Sequence, residues 1–198
     1  MYKTIMIVLA IAATEDMEIE TADVGNAYLL ADIDKEIYME LPRILWDDPK
    51  KPKYVRLLKA LYGLKQAGEL WNETINKFLV SIGFKRCLSD VCLYVHSDTD
   101  SPHLYICVYV DDILIAAVRQ EDIDWVKGEL VREFKKMKLP GPIKRFLGLE
   151  FKRDREHWTI LVTQEEYIRK IVKKNLTPGA RTAAIPGNPA VNLHTAER

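Results

Sequence analysis

The segment HLYICVYVDDILIAAV, residues 103–118, places two adjacent acidic residues between two runs of apolar, β-branched and aromatic side chains. Such runs favour β-strands, and a short polar interruption between them predicts an antiparallel hairpin. Asp111 and Asp112 would then form the turn, where Asn-Gly or Asp-Gly is usual because the turn needs positive φ angles. Two neighbouring carboxylates repel each other and resist burial, and a bound cation would relieve both effects. A solvated polar turn is the alternative.

The segments around this hairpin predict an α+β fold. Residues 17–24 have the alternation of a strand, and residues 67–82 and 121–137 have the periodicity of amphipathic helices. The order strand, helix, strand, strand, helix is that of a split βαβ unit. We therefore expect a ferredoxin-like antiparallel sheet with its helices on one face.

The ends of the chain add further predicted elements. Residues 2–15 predict a buried helix, although their apolar run also fits a short signal peptide. Residues 145–162 predict a second hairpin, which a further helix follows. We expect one domain over residues 1–176 and a poorly ordered tail, rich in Pro, Gly and Ala, over residues 177–198.

The composition limits the possible classes of function. The chain has 198 residues, 48% of them hydrophobic, so it can bury a core. Its 29 basic and 29 acidic residues give zero formal net charge, which excludes a globally basic nucleic-acid binder and leaves only a locally basic face. Ten basic and four acidic residues lie between 127 and 155, which fits a phosphate backbone or a solvated helix face equally well. No apolar run reaches the roughly 18–20 residues that span a bilayer, so we expect no membrane partner.

Asp23 adds a third carboxylate to the pair in the hairpin. It ends the first predicted strand, which neighbours the hairpin in a split βαβ sheet. Asp23, Asp111 and Asp112 would then converge at one edge of the sheet. Carboxylate oxygens suit Mg²⁺ or Mn²⁺. Two such ions about 3.5–4 Å apart would activate a 3′-hydroxyl and stabilise a leaving pyrophosphate.

Four segments of the chain carry a resemblance to a known family. They are DVGNAYL (23–29), LYGLKQAGELW (61–71), YVDDILIA (109–116) and FLGLEF (146–151). In this order they resemble motifs of the reverse transcriptases of Ty1/copia-type retrotransposons. The likeness extends to about Leu176, and departures from the pattern, such as Gly68 in place of proline, remove no carboxylate. It implies a polymerase palm with truncated fingers and a partial thumb, which acts as an RNA-directed and DNA-directed DNA polymerase by two-metal nucleotidyl transfer.

The resemblance also implies roles for individual residues. The residues that match the metal-binding set are Asp23, Asp111 and Asp112, with the backbone carbonyl of Val24. The residues that match the nucleotide-binding set are Tyr28, Tyr62, Gly63 and Lys65. Tyr28 matches a steric gate against ribonucleotides, and an ordinary core tyrosine is the alternative. The residues that match primer contacts are Tyr109, Val110, Leu147 and Gly148, and Lys138 or Lys136 would protonate pyrophosphate.

The implied partners are an RNA template, a DNA primer and template, dNTPs and the remaining Pol segments, namely the fingers, ribonuclease H and integrase. The implied location is a cytoplasmic virus-like particle, with a nuclear phase. One alternative is a catalytically inactive remnant that binds nucleic acid or protein. A small RNA-binding module is another, but it would need exposed aromatic residues on the central strands, which are apolar here.

Overall fold

The computed structural model describes residues 2–46, 52–96, 103–176 and Gly179. The expected tail at 177–198 therefore lies, apart from Gly179, outside the described residues. The chain divides into two compact units, Met1–Thr163 and Gln164–Arg198.

The first unit is a mixed α/β structure in which every pair of strands among the described residues is antiparallel. Its α-helices are α1 (Tyr2–Thr14), α2 (Ala67–Ser81) and α3 (Gln120–Phe134). Its first strands are β1 (Glu18–Val24), β2 (Tyr38–Glu40), β3 (Tyr54–Arg56), β4 (Phe84–Arg86), β5 (Leu93–His96) and β6 (Tyr105–Tyr109). The later strands are β7 (Asp112–Ala117), β8 (Met137–Pro142), β9 (Arg145–Phe146), β10 (Leu149–Asp154) and β11 (Thr159–Thr163).

The main sheet has six strands in the order β4-β5-β6-β7-β1-β8. The predicted first strand, the long helix α2 and the central hairpin β6–β7 are confirmed. Strand β1 lies between β7 and β8, so its C-terminal end lies beside the loop that joins β6 to β7. Two smaller sheets, β2-β3 and β11-β10-β9, complete the unit.

Both faces of the main sheet are covered, because successive side chains of a strand point to opposite faces. On β7, Ile113 and Ile115 pack in a core with α2 and α3. Leu114 and Ala116, between and beyond them, pack in a second core with α1 and the hairpin β10–β11. The expectation that the helices share one face is therefore wrong for α1. The buried residues of α1 recur with helical spacing and need an apolar surface to pack against. The central strands provide this surface because they have apolar side chains on both faces.

The helix predicted over residues 121–137 extends three residues beyond the end of the observed helix. Helix α3 ends at Phe134, and Lys135 then adopts a positive φ of 56°. Residues from Met137 onward form β8, an edge strand that pairs with β1. Prolines normally interrupt secondary structure, but an edge strand tolerates them because one side of its backbone needs no hydrogen bond.

The second unit contains α4 (Glu165–Asn175), which confirms the predicted last helix. Glu165 and Glu166 lie in its first turn, and Lys173 and Lys174 lie in its last turn. This arrangement complements the helix dipole at both ends. Among the described residues, no helix has both the length and the apolar character needed to cross a bilayer.

Gly128→Ala should raise the free energy of unfolding by about 0.5–1 kcal/mol, because glycine inside a helix costs conformational entropy. Gly128 lies exposed in α3, and a Cβ atom there would meet no atom within 4 Å. Urea denaturation of both proteins measures the change. The matched control is Gly141→Ala, where a Cβ also has space but φ is +82°. That variant should be destabilised by about 1 kcal/mol, and a gain there would contradict the explanation.

Candidate active site

Two of the predicted acidic residues lie opposite each other on neighbouring strands. In the pairing of β1 with β7, Asp23 is the direct partner of Asp112. Side chains of directly paired residues lie on the same face, with Cβ atoms about 4.5–5.5 Å apart. Asp112 also pairs with Tyr109 across the hairpin, so it belongs to β7. The prediction that both aspartates form the turn is therefore wrong by one residue.

The turn consists of Val110 and Asp111, and it is strained. Val110 has a φ of 55°, which is unfavourable for a β-branched residue and costs on the order of 1–3 kcal/mol. The indole N–H of Trp71 donates to the carbonyl of Val110 at 2.7 Å. The N–H of Val24 donates to the carbonyl of Asp111 at 2.8 Å. The backbone of Asp111 is therefore held beside the end of β1.

The acidic residues affect one another electrostatically. Burial raises the pKa of Asp112 above its usual 3.8, and the carboxylates of Asp111 and Asp23 raise it further. Lys138, on β8 opposite Asp23, acts in the opposite direction. Its Nζ lies 3.4 Å from Oδ2 of Asp23. Negative charge thus accumulates at this edge of the sheet, with one lysine beside it.

The chemistry of these side chains fits a divalent cation. Among the described residues, no group of three or more His, Cys, Asp or Glu side chains already has the arrangement of a metal site. However, Asp23, Asp111 and Asp112 provide carboxylate oxygens, the ligands that Mg²⁺ and Mn²⁺ prefer. Burial raises the pKa of Asp112, the neighbouring carboxylates raise it further, and a cation would relieve their repulsion.

A cavity of about 410 Å³ opens beside this acidic edge. Asp23, Asp112 and Lys138 line it together with Arg145 and Phe146 of β9. The sequence interpretation did not single out Arg145 as a site residue, although it lies in the basic stretch noted above. The cavity therefore combines acidic residues from the sheet with cations from β8 and β9.

Two tyrosines of the predicted nucleotide-binding set are in contact. Tyr28 lies in a short 3₁₀ helix, Ala27–Leu30, and its ring centroid lies 4.5 Å from that of Tyr62. Desolvation raises the pKa of Tyr62, and the charges of Asp111 and Asp23 add to this effect. The charges of Asp111 and Asp23 therefore reach Tyr62, and Tyr28 lies in contact with that residue.

The remaining predicted site residues lie at exposed positions or in turns. Gly63 has a φ of +100°, and Lys65 is exposed. Tyr109, at the end of β6, is 47% exposed. Leu147 and Gly148 form the turn between β9 and β10 with φ angles of 49° and 77°. The carbonyl of Lys136 accepts a hydrogen bond from the N–H of Gly25, while its side chain is exposed.

Several cations of the basic stretch pair within the protein. Lys127 binds Glu20, with 2.6 Å between Nζ and Oε2. Arg153 and Arg155 both bind Asp16. These three cations therefore have structural roles, and the local excess of basic residues overstates the charge that a phosphate backbone would meet.

Asp112→Asn should raise the free energy of unfolding near neutral pH, because it removes a carboxylate whose ionised form is disfavoured by burial and by its acidic neighbours. The folded state holds the Asp112 proton more tightly than the unfolded chain does, since the pKa is raised above 3.8. Wild-type stability is therefore lost as pH rises from 3.8 through the raised pKa. Urea denaturation should show a gain that grows as pH rises from 3.8 through the raised pKa and then stays constant. The exposed Asp34, changed to Asn, is the control, and a gain independent of pH would contradict the explanation.

Comparison with known sequences identifies the family of this chain. The reverse transcriptase (RNA-dependent DNA polymerase) family matches residues 1–189. The chain therefore belongs to the reverse transcriptase family, and the resemblance to the Ty1/copia type is confirmed.

Relatives from plants and yeast agree with this assignment. The chain is 33% identical to the retrovirus-related Pol polyprotein from transposon TNT 1-94 of Nicotiana tabacum, over 92% of the chain and 14% of that protein. It is 39% identical to the putative transposon Ty5-1 protein of Saccharomyces cerevisiae, over 77% of the chain and 49% of the relative. It is 30% identical to the transposon Ty1-GR3 Gag-Pol polyprotein of the same yeast, over 98% of the chain and 11% of the relative. The chain thus spans about half, or much less, of the length of these relatives.

Proposed function

We propose that this chain carries the nucleotidyl-transfer site of an RNA-directed and DNA-directed DNA polymerase from an LTR retrotransposon. One observation carries the proposal. Asp23 and Asp112 are direct cross-strand partners, with Asp111 in the adjacent turn, in a chain of the reverse transcriptase family. Such a group of oxygen ligands beside a cavity suits metal-assisted phosphoryl chemistry.

The strand order supports a polymerase palm as the host of this site. Strands β6, β7, β1 and β8 are neighbours in the sheet, and α2 and α3 connect them on one face. This connectivity, with β4 and β5 inserted between α2 and β6, supports a split βαβ unit. We assign the palm to this sheet, fingers elements to the small sheet β2-β3, and thumb elements to the C-terminal part of residues 1–176.

The proposed metal ligands are the side chains of Asp23, Asp111 and Asp112 and the carbonyl of Val24. Bound Mg²⁺ or Mn²⁺, two ions in the proposal, would supply charge stabilisation and a more acidic primer hydroxyl. The contribution of the protein is to hold the carboxylates on two adjacent strands. Lys138 lies near enough to Asp23 to serve as the proton donor to pyrophosphate.

The proposed contacts to substrates surround this group. Tyr28 would act as the gate beneath the sugar, and its contact with Tyr62 supports that role by fixing the ring. The other proposed nucleotide contacts are Tyr62, Gly63 and Lys65. The proposed primer contacts are Tyr109, Val110, Leu147 and Gly148.

The proposed partners are an RNA template, a DNA primer and template, dNTPs and the other segments of a Pol polyprotein. The proposed location is a cytoplasmic virus-like particle, with a nuclear phase. The names of the relatives support the polyprotein context, because several of them are Pol or Gag-Pol polyproteins.

A primer-extension assay tests the proposed function. The chain is incubated with a labelled DNA primer on an RNA or DNA template, with dNTPs and either Mg²⁺ or Mn²⁺. We expect extension on both templates that a chelator abolishes. Calorimetric titration with Mn²⁺ provides a second measurement. Absence of both extension and saturable Mn²⁺ binding would favour the catalytically inactive remnant.

A further inference from the structure

We infer that Trp71 is a positioning residue, which holds the turn that carries Asp111; this inference rests on the proposed nucleotidyl transfer. Trp71 lies in the first part of α2 and is 2% exposed. Its indole N–H donates a hydrogen bond to the carbonyl of Val110 at 2.7 Å. That carbonyl belongs to the planar peptide group joining Val110 to Asp111. The indole therefore fixes the peptide plane from which the Asp111 side chain departs.

The turn needs such a restraint because its first residue is strained. Val110 adopts a φ of 55°, a value that glycine adopts readily and β-branched residues avoid. The second carbonyl of the turn, that of Asp111, accepts a hydrogen bond from the N–H of Val24. One hydrogen bond from α2 and one from β1 thus hold the two residues of the turn. Loss of either bond would let the strained backbone relax.

The indole ring of Trp71 is itself held by packing. It makes an edge-to-face contact with Phe134, at the end of α3, with the ring centroids 5.4 Å apart. Phe134 makes a similar contact with Phe78 of α2 at 5.2 Å. Because Phe134 packs against the indole ring of Trp71, the ring has little freedom to move with the turn. Its N–H can therefore serve as a rigid hydrogen-bond donor.

The position of the Asp111 carboxylate matters for the proposed chemistry because small displacements of catalytic groups reduce the rate steeply. The proposed nucleotide contacts, namely Tyr28, Tyr62, Gly63 and Lys65, lie outside the turn, so its displacement should lower kcat more than it changes the KM for dNTP. A residue that only filled the core would not produce that difference.

The first experiment measures the turn without any assay of activity. Trp71→Phe retains an aromatic ring and removes the indole N–H. Amide hydrogen exchange by NMR should show the Val24 amide exchanging about tenfold faster in this variant, because its acceptor is on the released turn. The matched control is Trp125→Phe, at a residue 39% exposed that packs on Phe84 at the far edge of the sheet. Unchanged exchange in Trp71→Phe, or equal acceleration in the control, would overturn the inference.

The second experiment separates hydrogen bonding from packing. Trp71→Phe should lower kcat for primer extension about tenfold and leave the KM for dNTP within about twofold. In a Val110→Gly background the same change should cost less than about twofold, because glycine accepts the positive φ without a restraint. A loss of equal size in both backgrounds would assign Trp71 a packing role only and overturn the inference.

Two further arrangements keep these outcomes distinguishable. If Trp71→Phe does not fold, 3-benzothienylalanine at position 71 replaces the N–H by sulfur at nearly the same volume, and the same exchange result is expected. If the wild-type chain extends no primer, the proposed function fails, whereas exchange of the Val24 amide still decides the role of Trp71.

Discussion

Asp111→Asn should reduce primer extension by at least about 10³-fold, the effect of losing roughly 4 kcal/mol of transition-state stabilisation. The amide has nearly the same shape as the carboxylate, but it lacks the negative charge that a divalent cation requires. Asp111 contributes to the charge that raises the pKa of Asp112. Removal of that charge should therefore leave the thermal stability equal to that of the wild type or slightly higher. Primer extension and thermal unfolding, measured on the same preparation, test both statements.

A matched variant separates this effect from a general loss of charge. Asp154→Asn makes the same chemical change at a half-exposed residue that binds His157. We expect primer extension within about twofold of the wild type. The affinity for Mn²⁺ should fall in Asp111→Asn and remain unchanged in Asp154→Asn. Equal extension or equal Mn²⁺ affinity in the wild type and Asp111→Asn would contradict the proposed site.

Lys127→Met should lower the free energy of unfolding by about 3 kcal/mol, because it leaves a buried carboxylate without its cation. Glu20 is 6% exposed on β1, and Lys127 reaches it from α3, with 2.6 Å between Nζ and Oε2. Gln120 donates a further hydrogen bond to the other carboxylate oxygen at 3.0 Å. That amide carries no charge and cannot replace the lysine. Urea denaturation measures the loss.

The control for this prediction is Lys77→Met, which removes an exposed lysine that lies 3.8 Å from Glu73. Exposed pairs contribute about 0–1 kcal/mol, so this variant should change stability little. The double variant Glu20→Met, Lys127→Met should recover most of the loss, since apolar residues can replace a buried ion pair. Equal destabilisation in Lys127→Met and Lys77→Met would show that burial does not strengthen the Glu20 pair.

The elements that local sequence patterns predicted well are those with strong periodicity. Helix α2 has buried residues such as Trp71, Ile75 and Leu79 at helical spacing. The hairpin β6–β7 consists of two runs of apolar, β-branched and aromatic residues, which favour strands. Asp111 and Asp112 stood out because carboxylates between such apolar runs are costly to bury unless a partner such as a cation compensates their charge. Hydrophobic periodicity and the order of the motifs were sufficient to predict these features.

The elements that escaped prediction depend on contacts between distant residues. Strand β8 contains Pro140 and Gly141, which suggest a loop, and it becomes a strand because β1 offers an unpaired edge. The exact turn, Val110 with Asp111, depends on hydrogen bonds from Trp71 and Val24. A valine with positive φ would not be predicted from local propensity. The placement of α1 on the opposite face depends on which side of the sheet remained uncovered.

The amino-acid sequence alone was enough to predict the family and the central hairpin, which are confirmed, because these depend on residue identity and short-range spacing. The roles of the three acidic residues stay a prediction from the sequence. The three-dimensional structure was needed to establish that Asp23 faces Asp112, that the turn is strained and restrained, and that Lys127 neutralises Glu20 instead of facing solvent. The physical reason is that strand register and buried ion pairs join residues about a hundred positions apart. Their energies arise only when the chain has folded and water has been excluded.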